Sequence, residues 1–121
     1  MDFLKGNYYK YATLKNISIY GNKRNDIKTI RDLFIKTHNI AYELCGDKFK
    51  DDLINKKENK RGLKIIHGEK KKAHIYIKNM NISYQDQNLT TLMKKTQEIA
   101  KKYNILINGE IILNNGETNK F

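Results

Sequence analysis

Residues 70–79 read Lys-Lys-Lys-Ala-His-Ile-Tyr-Ile-Lys-Asn, and their alternation sets the fold class. Ala73, Ile75 and Ile77 point one way while Lys72, His74, Tyr76 and Lys78 point the other, the period of two of a half-buried strand. Its wet face carries two cations, an imidazole and a phenol. Residues 63–66 before it form a short strand, and Gly68-Glu69 is the expected turn between the two, with Lys70, Lys71 and Lys72 as an alternative, longer loop. Residues 79–85 after it read as a polar connection anchored by Ile82.

Working outward, residues 8–20 are rich in strand formers. Leu14, Ile17 and Ile19 do not share one parity, which predicts a bulge or break near Lys15-Asn16. With Ile17 and Ile19 facing the core, Asn16, Ser18 and Tyr20 face out. Asn25 or Asp26 is the expected cap of a helix in which Ile27, Ile30, Leu33, Phe34, Ile40, Ala41, Leu44 and Cys45 recur at three- and four-residue spacing. Gly46 caps or interrupts that helix, and Phe49, Leu53 and Ile54 carry it on to about residue 55. A second helix starts near Asp86 or Asn88, buries Leu89, Leu92, Met93, Thr96, Ile99, Ala100 and Tyr103, and turns Lys94, Lys95, Lys101 and Lys102 to solvent. Asn104 suits its left-handed terminator. Residues 105–113 read as a two-residue hairpin turning at Asn108-Gly109.

The order strand, helix, strand, strand, helix, strand predicts an α+β fold of ferredoxin-like βαββαβ type. It implies an antiparallel sheet with two helices on one face and a C-terminal β-hairpin. No internal repeat or Pro/Gly-rich linker interrupts the chain, so residues 1–121 read as one domain with residues 1–7 and 117–121 as frayed ends.

Composition narrows the class of partner. Lys and Arg number 24 against 13 Asp and Glu, a net of +11 that favours a polyanion. The excess is uneven: residues 1–60 hold 13 basic and 8 acidic side chains, residues 61–103 hold 10 and 3, and the last 18 hold one and two. Lysine supplies nearly all of the positive charge, and an AT-rich genome produces the same profile whatever the protein does. Arginine is also the better bidentate reader of phosphate and bases. No apolar run approaches the roughly 18 residues of a membrane span. The N-terminus lacks a signal-peptide core, so a cytoplasmic setting is the default. Cys45 stands alone on an apolar helical stripe, which points to an inert thiol.

The sharpest functional expectation is a nucleic-acid platform for RNA or single-stranded DNA on the open sheet face. Tyr76 and Tyr20 would stack on bases from neighbouring strands, and His74 would hydrogen-bond. Lys64, Lys71, Lys72 and Lys78 would contact phosphates. Against it stands the plain reading that Tyr is a good strand former and that Lys decorates any wet face. Residues 75–80, Ile-Tyr-Ile-Lys-Asn-Met, resemble the first-strand motif of the RNA-recognition-motif family, with Asp86, Leu89, Leu92 and Met93 spaced like its first helix. The likeness covers about 25 residues. Only some 18 residues follow the second helix, too few for that family's remaining elements, so the resemblance is to a fold type.

Two other readings stand beside it. An apolar edge hairpin at residues 105–113 fits a protein-binding module, an inhibitor or an assembly subunit, or a homodimer. His67 and His74 near Tyr76, Lys64 and Lys72 fit a metal-independent ribonuclease with a His general base, the chemistry of small basic RNase toxins. His38, Cys45, His67 and His74 lack zinc-ligand spacing, and no phosphate-cradling glycine loop occurs, so no metal or cofactor is expected.

Overall fold

Leu14, Ile17 and Ile19 sit on different parities of one strand, yet all three are buried. The computed structural model shows how. It describes residues 9–55, 65–70, 74–85 and 88–121, with the backbone alone of His74. These form an α+β chain of three α-helices and two antiparallel sheets, in place of the single sheet that a ferredoxin-like order would give. The chain divides into two compact units, Met1–Thr37 with Asn88–Phe121, and His38–Gln87, the division falling inside the first helix. No helix among the described residues is long and apolar enough to cross a membrane.

The first unit holds β1 (Thr13–Ile19), β2 (Asn22–Lys23), β6 (Ile107–Ile112) and β7 (Thr118–Lys120), in the sheet order β2-β1-β6-β7. Lys15 pairs with Glu110 but Ser18 with Asn108, so Asn16 and Ile17 together oppose Gly109. This is the expected bulge. Asn16 takes the left-handed conformation at φ 54°, and the extra residue returns Ile17 and Ile19 to the side of Leu14. The bulge also explains Gly109. A Cβ there would run into the Ile17 side chain and lie 3.0 Å from the Phe121 ring. Asn108-Gly109 is therefore not a turn. Glycine here leaves room for the Ile17 and Phe121 side chains against a continuous strand, and β6 passes straight through.

The hairpin expected at residues 108–109 turns instead at residues 114–116, where Gly116 N–H donates to Leu113 C=O at 2.9 Å. The residues expected to fray carry β7, which pairs along β6, and Phe121 N–H donates to Gly109 C=O at 3.0 Å. Segment 105–113 is consequently no edge, since β6 is flanked by β1 and β7.

Helix α1 (Ile30–Cys45) starts later than Asn25 or Asp26. Asp26 is engaged with Arg24 at 2.9 Å. The cap is Thr29, whose Oγ1 accepts from Asp32 N–H at 3.0 Å while Asp32 Oδ2 accepts from Thr29 N–H at 3.2 Å, a reciprocal capping box. Helix α3 (Leu89–Lys102) is capped by Asn88, whose side chain accepts from Thr91 N–H, and ends at Asn104 with φ 56°. Ile105 N–H returns to Ala100 C=O at 2.8 Å, the six-to-one bond of a Schellman terminator. Lys95 departs from expectation. It lies three residues after Leu92 and four before Ile99, on the inward stripe, and is 6% exposed. Leu33, Met93, Thr96, Ala100, Ile105, Ile107 and Phe121, with Gln97, line a cavity of about 140 Å³ in this unit.

The second unit contains the rest of α1, α2 (Asp47–Asn55), β3 (Ile65–His67), β4 (His74–Ile77) and β5 (Ile82–Gln85). Gly46, at φ 60°, separates the two helices. The segment expected as a polar connection is the middle strand of the order β3-β5-β4, with Ile82, Ser83 and Tyr84 fully buried. The Gly68-Glu69 hairpin is accordingly not formed, because β3 pairs with β5 rather than β4. The hairpin lies one strand later: Lys78–Met80 form a single 3-10 turn and Asn81, at φ 52°, closes it with its N–H on Lys78 C=O. His38 Nε2 lies 2.7 Å from Tyr84 Oη, and its ring meets Tyr84 and Phe49 edge-on at 5.1 and 5.9 Å. Both polar groups are thus buried as a hydrogen-bonded pair.

Candidate nucleic-acid interface

The expected site residues do not assemble as expected. Tyr76 and His74 belong to β4 of the three-stranded sheet, whereas Tyr20 follows β1 of the four-stranded one, so the two tyrosines are not on neighbouring strands. Lys78 is exposed, but it begins the 3-10 turn after β4 rather than ending the strand. Lys64, Lys71 and Lys72 lie outside the described residues. Of His74 the structure gives a backbone position, opposite Gln85.

The face shared by Tyr76 is also partly occupied. Tyr76 is directly opposite Ser83, so their side chains share one side of the sheet. Ser83 Oγ donates to Gly68 C=O at 2.6 Å and accepts from Lys70 N–H at 3.3 Å, which lays residues 68–70 across β5 and leaves Ser83 fully buried. Tyr76 is half-buried, and its hydroxyl donates to Asn81 Oδ1 at 2.8 Å.

The face of the four-stranded sheet opposite Leu14, Ile17, Ile19 and Ile111 is different. Register puts Lys23, Ser18 and Asn108 in one row, Lys15, Glu110 and Lys120 in the next, and Thr13, Ile112 and Thr118 in the third. Lys15, Lys23 and Lys120 are exposed and have no ion-pair partner among the described residues. Glu110 is taken up by Asn16, whose Nδ2 donates to its carboxylate at 2.5 Å. The bulge residue therefore holds the acid of this row.

Tyr20 stands at the end of the same strand, 49% exposed, its hydroxyl reaching Asn104 C=O at 3.4 Å. Arg24, just after β2, is committed within the chain by bonds of 3.1 and 2.9 Å to Asp26. Those bonds raise the guanidinium pKa and lower that of the carboxyl.

Sequence reasoning missed Lys15, Lys23 and Lys120 as a group. Lys15 was open to it, because the bulge parity that sends Leu14 and Ile17 inward sends Lys15 out. Lys120 was not, since residues 117–121 carry no alternation that marks a strand. Among the described residues no three of His, Cys, Asp or Glu come together as a metal-holding group. Comparison with family models, with curated proteins and with solved structures yields no match to this chain.

Proposed function

We propose that the chain binds nucleic acid, RNA or single-stranded DNA, on the exposed face of its four-stranded sheet. The observation that carries this reading is the row geometry. Three exposed lysines without carboxylate partners among the described residues share one face, the acid among them is held by Asn16, and an exposed tyrosine follows the strand that carries Lys15. Charge agrees: the unit holding this sheet has 13 basic against 6 acidic side chains, a net of +7, and the other 11 against 7, a net of +4. Lys15 and Lys120 are separated by β6, so their Cα atoms stand about 10 Å apart, within the span of one backbone lying across the strands. Lysines placed this way hold phosphates and do not read sequence. A cytoplasmic setting belongs to the same proposal.

A salt-titrated binding assay on mixed oligonucleotides tests it. Native protein should bind more tightly than about 10⁻⁴ M near physiological salt, and Lys15→Gln/Lys23→Gln/Lys120→Gln should flatten the log–log salt slope by about 2. Binding weaker than that limit for every polyanion rejects the reading.

A further inference from the structure

Five non-glycine residues among those described take a positive φ: Tyr11 at 64°, Asn16 at 54°, Tyr20 at 52°, Asn81 at 52° and Asn104 at 56°. Three are asparagine, whose short amide tolerates the left-handed region. The other two are tyrosine, for which that region is an outlier.

Each tyrosine occupies a slot where the turn asks for Gly or Asn. Tyr20 and Gly21 are the two residues between the paired Ile19 and Asn22, and both have positive φ, the type I′ arrangement that favours Asn-Gly. Tyr11 is the third residue of the turn closed by Ala12 N–H on Tyr9 C=O at 2.8 Å, where a type II turn requires positive φ. The chain meets the same backbone demand with asparagine three times over, so tyrosine at these two places runs against local preference.

Burial does not account for the choice, since Tyr11 is 70% and Tyr20 49% exposed. Nor do their contacts among the described residues. The Tyr20 hydroxyl bond of 3.4 Å is long. Tyr11 has Lys10 Nζ at 5.2 Å from its ring centroid, a cation–π contact weakened by solvent at the surface. A tyrosine kept at a backbone position that favours Gly or Asn, without burial or close contacts among the described residues to account for it, points to function.

The two rings stand at the two ends of β1, the strand that carries Lys15 on the lysine face. We infer that Tyr11 and Tyr20 are platforms on which unpaired bases stack, so the ligand at this face is a single-stranded segment and not a duplex. This rests on the nucleic-acid reading of that face. A duplex keeps its bases stacked on one another and offers a surface ring only phosphates and groove edges. An unpaired base offers a π-face of its own. The seven residues of β1 put roughly 23 Å between the platforms, a span bridged by several nucleotides with Lys15 and Lys10 at the phosphates between and beside them.

The test pairs thermal unfolding with oligonucleotide affinity on the whole chain. Tyr11→Asn and Tyr20→Asn should each raise the unfolding midpoint by a few degrees, because asparagine relieves the backbone. Each should also weaken binding of a short mixed single strand about tenfold and leave binding of the matching duplex unchanged. Tyr20→Phe, which keeps the ring, should retain the single-strand affinity. If the Tyr→Asn variants bind single strands as tightly as the native chain while Lys15→Gln/Lys23→Gln/Lys120→Gln binds more weakly, the stacking inference falls and the lysine face stands. If the native chain binds neither single strand nor duplex, both fall. A lowered midpoint in both Tyr→Asn variants makes the tyrosines supports of the fold and overturns the inference.

Discussion

The two sheets treat their second face in opposite ways. In the first unit β1 buries Leu14, Ile17 and Ile19 and leaves Thr13, Lys15 and Asn16 to solvent. In the second, the middle strand β5 is buried on both faces, with Ser83 as completely covered as Ile82 and Tyr84. Connectivity explains the difference. β1–β2 and β6–β7 are antiparallel neighbours joined by short turns, which leave the faces clear. β3 and β4 are both antiparallel to β5 and hence parallel to each other, and the residues that leave β3 lie over a face of β5. These are residues 68–70, and Ser83 supplies the two hydrogen bonds that hold them down. Alternation in a strand therefore marks an open face only where the next connection stays off it.

The largest effect should come from the closed sheet. Tyr84 is fully buried, touches the His38 ring edge-on and meets its Nε2 at 2.7 Å. Tyr84→Ala should remove about 3–5 kcal/mol of stability, seen as a fall in the urea midpoint. Tyr84→Phe, which keeps the ring and removes the hydroxyl from His38, should lose only about 1–2 kcal/mol. Equal losses in the two variants would mean that the buried pair, rather than the packing, holds this sheet.

A pair of serines then sets the two faces directly against each other. Ser83 and Ser18 both point to the side of their sheet away from its apolar set, but Ser83 is tied to Gly68 and Lys70 whereas Ser18 lies between Lys23 and Asn108 on the open face. Ser83→Ala strips a partner from two backbone groups and should cost about 1–2 kcal/mol. Ser18→Ala should stay within about 0.5 kcal/mol of native. The same urea titration reads both, and a Ser18 loss as large as that of Ser83 would break the comparison.

Much of the first unit was legible because its signals are local. The parity clash of Leu14, Ile17 and Ile19 located a bulge, the spacing from Leu92 to Ile99 located a buried helical stripe, and Asn104 marked a left-handed terminator. The misreadings came from residues with two physical uses. Asn108-Gly109 has the composition of a type I′ turn, yet glycine serves there to leave room for the Ile17 side chain across the bulge. The type I′ turn that does form is Tyr20-Gly21, whose first residue is among the poorer choices for it. Segment 79–85 read as polar because Ser83, Tyr84 and Gln85 carry heteroatoms. Partners at residues 68, 70 and 38, distant in sequence, are what allow Ser83 and Tyr84 to be buried. The candidate site suffered most, since sharing a face depends on which strands pair, and the pairing of β7 or of β5 leaves no local mark.

The smallest effects are electrostatic, and they set the two units apart once more by sign. In the first unit the Arg24 hydrogen bond lowers the Asp26 pKa, so the folded state holds the ionised carboxylate more firmly than the unfolded chain does. The contribution is present above the ordinary carboxylate range and is lost as pH falls through the depressed folded value. In the second unit the Asp47 charge, with burial and the 3.3 Å bond from Tyr42, raises the Tyr42 pKa and keeps the phenol protonated. That contribution is present below the ordinary phenol value of about 10 and is lost as pH rises through the raised folded value. Both groups are solvent-facing, so each effect is a shallow slope rather than a transition. Asp26→Asn should flatten the acid limb of the stability profile and leave the alkaline limb alone. Asp47→Asn should do the reverse and bring the Tyr42 phenolate absorbance, isolated by difference against Tyr42→Phe, to lower pH. If Asp47→Asn left that absorbance in place, the Asp47 charge would not be the cause of the raised value, and the contrast in sign between the two units would have no basis in these pairs.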